Sequence, residues 1–231
     1  MKLANYEEYE SLKKRLAKED DCNFSVTFTN PFSYYLLKDL KLEDEFEHIF
    51  SDGVMLCILY RIFKKEKVDR ISFDFSSIAL DFLNFCLEKN IKVGFVGASQ
   101  EEIDKSIVEI NKKIRRGHIS FYRNGYFISD EEKEEFYSEV RKNKIDVMII
   151  GQGAPLQEIT AVELRNNCPN LKLSITCGGF LSQSTNGDYY PKYISKLNFR
   201  WAYRVFKHEH VRKKFFGSYP KFLLRFFRES F

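Results

Sequence analysis

Asp52 is the residue best placed to take a proton. It follows the apolar pair Ile49-Phe50, precedes Gly53, and stands where the apolar helix VMLCILYRIF (54–63) begins. A carboxylate there can cap the helix, or it can accept a proton from a hydroxyl as a general base. Capping is the commoner use, and the residues alone favour it. The segment Gly151-Gln152-Gly153-Ala154-Pro155-Leu156-Gln157-Glu158 is the sharpest local pattern. It is not a P-loop, because the Lys-Ser/Thr ending is missing. Nor is it GxGxxG, because Leu156 stands where the third Gly belongs. Pro155 opens a helix and puts Gln157 and Glu158 in its first turn. There they can hydrogen-bond a base or a ribose, or Glu158 can simply complement the helix dipole. The two readings stand level.

Metal chemistry has little support. His208 and His210 are two residues apart and diverge on a helix. No His or Cys cluster joins them, and no Asp-x-Asp pair occurs, so no metal is expected. The five cysteines (Cys22, Cys57, Cys86, Cys168, Cys177) are widely spaced and odd in number. They read as free thiols of a reducing cytosol, with Cys168 and Cys177 as buried packing.

The elements that position these residues alternate. Helices are expected over 6–19, 30–40, 54–63 and 76–89, from Ser99 to about Arg115, and after Ser129 and Pro155. Strands are expected at 24–29, 92–96, 118–122, 146–150 and 171–176. Asn30-Pro31 supplies an N-cap with Pro at the first helical position, and Ser99/Glu102 and Ser129/Glu132 read as capping boxes. Strands alternating with helices predict an α/β, Rossmann-like, mostly parallel sheet with helices on both faces. The core domain is expected over 1–188 and a basic-aromatic helical appendage over 189–231.

Ligands of open parallel sheets sit beyond the carboxyl ends of the strands. The loops there read FTNP, VGASQ, RNGYF, GQGAPLQE and TCGGF. They place Gly97, Gly125, Tyr126, Phe127, Gly153, Gly178 and Gly179 on one edge. For any single loop, Gly as a tight-turn residue is the better reading. Five such loops favour a nucleotide or sugar-phosphate site.

The net charge is +4 over 231 residues, but from Lys192 to Phe231 eleven Lys or Arg face two Glu, so the rest is acidic. Twelve aromatics are interleaved in that forty-residue tail. PKFLLRFF (220–227) has the composition of an interfacial amphipathic helix, basic side chains to anionic headgroups and aromatics to the acyl boundary. A membrane surface ranks first for this tail. A helix packed on the core with a solvated face comes next, and nucleic acid last. The first residues are too polar for a signal peptide, and no run of about 20 apolar residues spans a bilayer.

In this order the motifs resemble the WecG/TagA/CpsF family of bacterial glycosyltransferases, from about Phe24 to Phe227. The series is a strand ending in Asn30, Asp52-Gly53, Arg70-Ile71, VGFVGAS, Gly125-Tyr126-Phe127, Gly153-x-Pro155-x-Gln157-Glu158, Gly178-Gly179 and Trp201-x-Tyr203-Arg204. The resemblance implies an inverting, metal-independent transfer of a hexose-type sugar from a UDP-sugar. The acceptor it implies is a polyprenyl-diphosphate-linked saccharide, in making cell-surface polysaccharide such as O-antigen or capsule. It makes Asp52 the base, has Thr29 and Asn30 position substrate hydroxyls, and has Arg70 contact acceptor or leaving group. It puts Gly153, Gln157 and Glu158 on the uridine, and Arg204, Arg212 and Lys214 on the diphosphate. The implied place is cytoplasmic, peripheral at the inner face of the cytoplasmic membrane. Phe180-Leu181-Ser182 replaces the family's Phe-Asp after Gly-Gly, which leaves the donor hexose open. The rival readings are a Rossmann-type oxidoreductase, which lacks its GxGxxG, and a nucleic-acid-binding module, which the acidic remainder of the chain opposes.

Overall fold

The computed structural model describes residues 1–18, 22–185 and 209–230. Six parallel strands form one sheet in the order β2-β1-β6-β5-β3-β4. They are β1 (Phe24–Thr29), β2 (His48–Ser51), β3 (Val93–Gly97), β4 (Phe121–Arg123), β5 (Val147–Gly151) and β6 (Leu173–Thr176). The helices are α1 (Tyr6–Lys18), α2 (Tyr34–Asp39), α3 (Val54–Leu59), α4 (Ala79–Glu88), α5 (Gln100–Lys113), α6 (Asp130–Lys142), α7 (Leu156–Asn167), α8 (Phe180–Ser184) and α9 (Glu209–Ser230). This is the α/β, Rossmann-like class that the alternation of patterns predicts.

The sheet is covered on both faces, so its central strands are apolar on both sides. One core joins Leu12, Phe82, Ile103, Ile107 and Phe180 from α1, α4, α5 and α8. The other joins Leu37, Leu56, Phe136, Leu164 and Phe226 from α2, α3, α6, α7 and α9. β1 is buried throughout, yet it carries Ser25, Thr27 and Thr29 at alternate positions. Their hydroxyls all point to one face by the period of a strand.

Several boundaries differ from expectation for local reasons. β2 was not anticipated: its four residues are too few for a pattern, and pairing with β1 is what extends them. The Asn30-Pro31 start makes a turn first, because Asn30 Oδ1 accepts the N–H groups of Phe32 (2.9 Å) and Ser33 (3.3 Å). The helix proper begins at Tyr34. α3 continues as a π-helical turn over Tyr60–Lys64, closed by Lys65 in the left-handed conformation. The edge strand β4 starts at Phe121 rather than at His118, since Asn111 clasps Ile119 in the preceding loop. Ser99 and Glu102 form the full capping box. At Ser129 only half of one forms, because Glu132 turns to the N–H of Ile128 (2.6 Å) and to Arg123 (2.7 Å).

Candidate active site

β3 and β5 are neighbours whose following helices go to opposite faces, α5 to one core and α7 to the other. That divergence opens a crevice at their carboxyl ends, the usual ligand position in such sheets. The loops there are tightly laced. Gly97, at φ 149°, lies so close to β5 that a Cβ would meet the Gly151 carbonyl oxygen at 2.4 Å. Gly125 donates its N–H to Ala98 (3.0 Å), and its carbonyl accepts from Gln152 Nε2 (2.8 Å). Gly97 and Gly125 are therefore required by packing. Gly153 (φ 79°) and Gly178 (φ 56°) differ: both need the left-handed backbone, and a Cβ on either would meet nothing within 4 Å. These two rim open space. Gly179 is the N-cap of α8 and exposed. Tyr126 is exposed, and Phe127 is half-buried under the Arg123 guanidinium at 4.3 Å.

Pro155, joined to Ala154 by a cis peptide, is the N-cap of α7. Gln157 and Glu158 occupy the first turn as expected, but both side chains are buried. Gln157 Oε1 accepts the N–H of Gly178 at 3.0 Å, and its Nε2 donates to Glu158 Oε1 at 2.8 Å. Thr27 Oγ1 donates to the same carboxylate oxygen at 3.0 Å and lies 2.8 Å from Thr176 Oγ1. Burial holds the Glu158 carboxyl above its ordinary pKa, against those hydrogen bonds. Its Oε2 is enclosed with no hydrogen-bond partner. Gln157 thus fixes the Gly178 turn, and Glu158 fixes Gln157.

On the other side of β1, the N–H of Asp52 donates to the Thr29 carbonyl at 2.8 Å, so the end of β1 sets the position of Asp52. The carboxylate is part-exposed, 3.7 Å from the Arg70 guanidinium. Arg70 is itself held by Ser72 Oγ (2.9 Å) and Asp74 (3.4 Å) on a strand-like extension that pairs with Ser51. Gly53, not Asp52, occupies the N-cap position of α3, with Asp52 one residue before it. Asn30 lies alongside, its Cβ 3.6 Å from where a Cβ of Gly53 would be. Thr29 is fully buried and its hydroxyl lies 3.2 Å from Ser33 Oγ, so it shapes the Asn30 turn from beneath.

Asp52, Asn30, Gly178, Gly153, Gly97 and Gly125 thus lie in strand order along one edge. Three strand spacings separate Asp52 from Gly153, roughly 14 Å, comparable to an extended nucleotide-sugar. Among the described residues no group of three or more His, Cys, Asp or Glu could hold a metal ion.

The sequence model of the glycosyl transferase WecG/TagA/CpsF family matches residues 2–231. The chain belongs to this family. It is also similar to a UDP-Gal:alpha-D-GlcNAc-diphosphoundecaprenol beta-1,4-galactosyltransferase of Shigella boydii, 38% identical over 206 residues, 89% of this chain and 86% of that one. The oxidoreductase and nucleic-acid readings fall away with that membership.

In this glycosyltransferase, the structure brings Asp52, Asn30 and Arg70 together at one end of the edge and Gly153, Gln157 and Gly178 at its middle, after β5 and β6. Arg204 lies outside the described residues, as do the side chains of Arg212 and Lys214 and those of the His208-Glu209-His210 run. All five cysteines are free, four of them buried. Sequence reasoning missed Thr27, Thr176, Ser72 and Asp74, which hold the site from behind. For Thr27 a signal was present: hydroxyl residues at alternate positions of a strand with no exposed face. PKFLLRFF is helical, but Phe222 and Phe226 turn inward onto Tyr34, Tyr35 and Tyr60. Those two aromatics belong to the core rather than to a lipid surface.

Proposed function

We propose that the enzyme transfers galactose, with inversion, from UDP-galactose to the 4-hydroxyl of N-acetylglucosamine carried on undecaprenyl diphosphate. Support for donor and acceptor comes from the Shigella relative, which matches most of both chains. Support for the mechanism comes from Asp52, a part-exposed carboxylate pinned by its backbone at the ligand edge. UDP-galactose is an α-glycoside, so a β-product requires attack opposite the leaving group.

Asp52 would take the proton of the acceptor hydroxyl as its oxygen bonds to the anomeric carbon. The bond from that carbon to the diphosphate breaks, and UDP leaves with the electron pair. Asn30 and Arg70 would orient acceptor and donor, and the Gly153 and Gly178 turns would lie against the uridine diphosphate. The core of 1–188 would bind the donor. The appendage of 189–231 would bring Arg204, Arg212 and Lys214 over the departing charge and hold the enzyme peripherally at the inner face of the cytoplasmic membrane. No metal ion takes part in this scheme.

The test is transfer of labelled sugar from UDP-galactose, UDP-glucose and their N-acetyl counterparts to a synthetic N-acetylglucosamine-diphosphate lipid, with and without EDTA. Galactose transfer giving a β-1,4 product, insensitive to EDTA, is expected. No transfer from any UDP-hexose overturns the reading.

A further inference from the structure

α3 and the π-helical turn that extends it bury Leu56, Leu59 and Tyr60 and turn Ile58 and Ile62 outward. The two isoleucines are 50% and 60% exposed, four residues apart on one face. Phe63 meets Phe227 of α9 edge-on, with ring centroids 4.9 Å apart. On α9, Phe222 and Phe226 are buried, while Leu224 is 68% exposed and Phe227 remains partly open. One apolar ridge therefore runs from Ile58 through Ile62 and Phe63 to Phe227. Arg61, Lys64, Lys65 and Lys67 are exposed around it, with Glu66 the only acid in that stretch; Lys221 and Arg228 are exposed on α9.

We propose that this ridge docks on an anionic phospholipid surface, so that the catalytic domain itself, and not the tail alone, meets the membrane. The proposal rests on the reading that the acceptor is lipid-linked. Apolar side chains ringed by Lys and Arg match the headgroup boundary of an anionic bilayer. They match a second copy of the same surface poorly, because a two-fold contact would oppose like charges. The geometry also serves the reaction. α3 starts two residues after Asp52, and Ile58 lies roughly 6 Å along the helix from its first residue, Val54. A bilayer against Ile58 and Ile62 brings a membrane-borne diphosphate close to Asp52.

The experiment uses the full chain. Co-sedimentation is measured with vesicles of phosphatidylcholine alone and with added phosphatidylglycerol. Turnover is measured on a water-soluble short-chain acceptor and on a long-chain acceptor in vesicles. Ile58→Asp/Ile62→Asp and Arg61→Glu/Lys65→Glu are compared with the wild type. Both pairs are expected to weaken binding to anionic vesicles at least about tenfold. They should lower turnover on the vesicle acceptor in step and keep short-chain turnover. Wild-type binding by both pairs overturns the docking face while leaving the transferase reading intact. Loss of short-chain turnover by either pair overturns it too, since the residues would then serve the site or the fold. A shift of oligomeric state in light scattering with unchanged vesicle binding makes the ridge an interface between copies, which also overturns it. If the wild type fails on the short-chain acceptor, it is the transferase reading that falls, and vesicle binding still decides the ridge.

Discussion

Thr27 on β1 and Glu158 on α7 lie 131 positions apart in the chain and share a 3.0 Å hydrogen bond closed to solvent. That bond links the two ends of the site. Two residues beyond Thr27, the Thr29 carbonyl sets Asp52; one residue before Glu158, Gln157 sets the Gly178 turn. Removing the hydroxyl with Thr27→Val leaves one carboxylate oxygen and Thr176 short of a partner. A loss of about 1–3 kcal/mol is expected in urea denaturation. An unchanged midpoint would show that the buried network contributes nothing to the fold.

Glu158 makes stability depend on pH. Burial raises its pKa in the folded chain, so the folded state holds the proton where the unfolded state has released it. The folded state binds more protons, and this residue's contribution therefore falls as pH rises from the unfolded value, about 4.3, to the folded one. Glu158→Gln cannot ionise. Its stability relative to the wild type should rise through that window and then level off. A difference that stays flat from pH 4 to pH 8 contradicts the assignment.

Asp52→Asn keeps the size of the side chain and the backbone bond to Thr29. The variant should fold with wild-type stability and bind UDP, while turnover drops about 10²–10⁴-fold. Thermal denaturation and single-turnover kinetics on one preparation separate these quantities. Near wild-type turnover would remove Asp52 from the reaction.

Two glycines separate packing from ligand space. Gly97→Ala drives a methyl group into the Gly151 carbonyl and should destabilise by more than about 2 kcal/mol. Gly153→Ala meets no neighbour and carries only the strain of its positive φ, about 1–3 kcal/mol. The Gly153 variant should fold yet bind UDP more weakly, as isothermal calorimetry reads. Undiminished UDP affinity would place the diphosphate elsewhere.

Phe226 is buried among Tyr34, Tyr60, Phe63 and Phe222. Phe226→Ala should cost about 3–5 kcal/mol and loosen α9. Limited proteolysis should then cut within 209–230 before the rest of the chain. The same packing makes charge reversal a cleaner test of membrane contact than deletion of the tail, which would strip two aromatics from the core.

The sequence by itself determined the parallel α/β class, the capped start of α5, the glycine-rich edge and the acid that stands there, because each is written in local spacing. Alternating apolar strands, Ser99 with Glu102, and Asp52 before Gly53 are all patterns within a few residues. Tertiary structure alone decided what those residues do to one another. β2 exists because β1 lies beside it to complete its hydrogen bonds. Glu158 is buried because Thr27 and Gln157 replace the water it loses. Gly97 and Gly153 look alike in sequence, and only the approach of β5 makes one a packing glycine and the other a rim of open space. The aromatic periodicity of α9 could not say which face is inward; Tyr34 and Tyr60, far away in the chain, settled that by burying Phe222 and Phe226. Hydrogen bonds and burial between distant segments depend on where the chain returns, and no spacing within a single segment encodes that return.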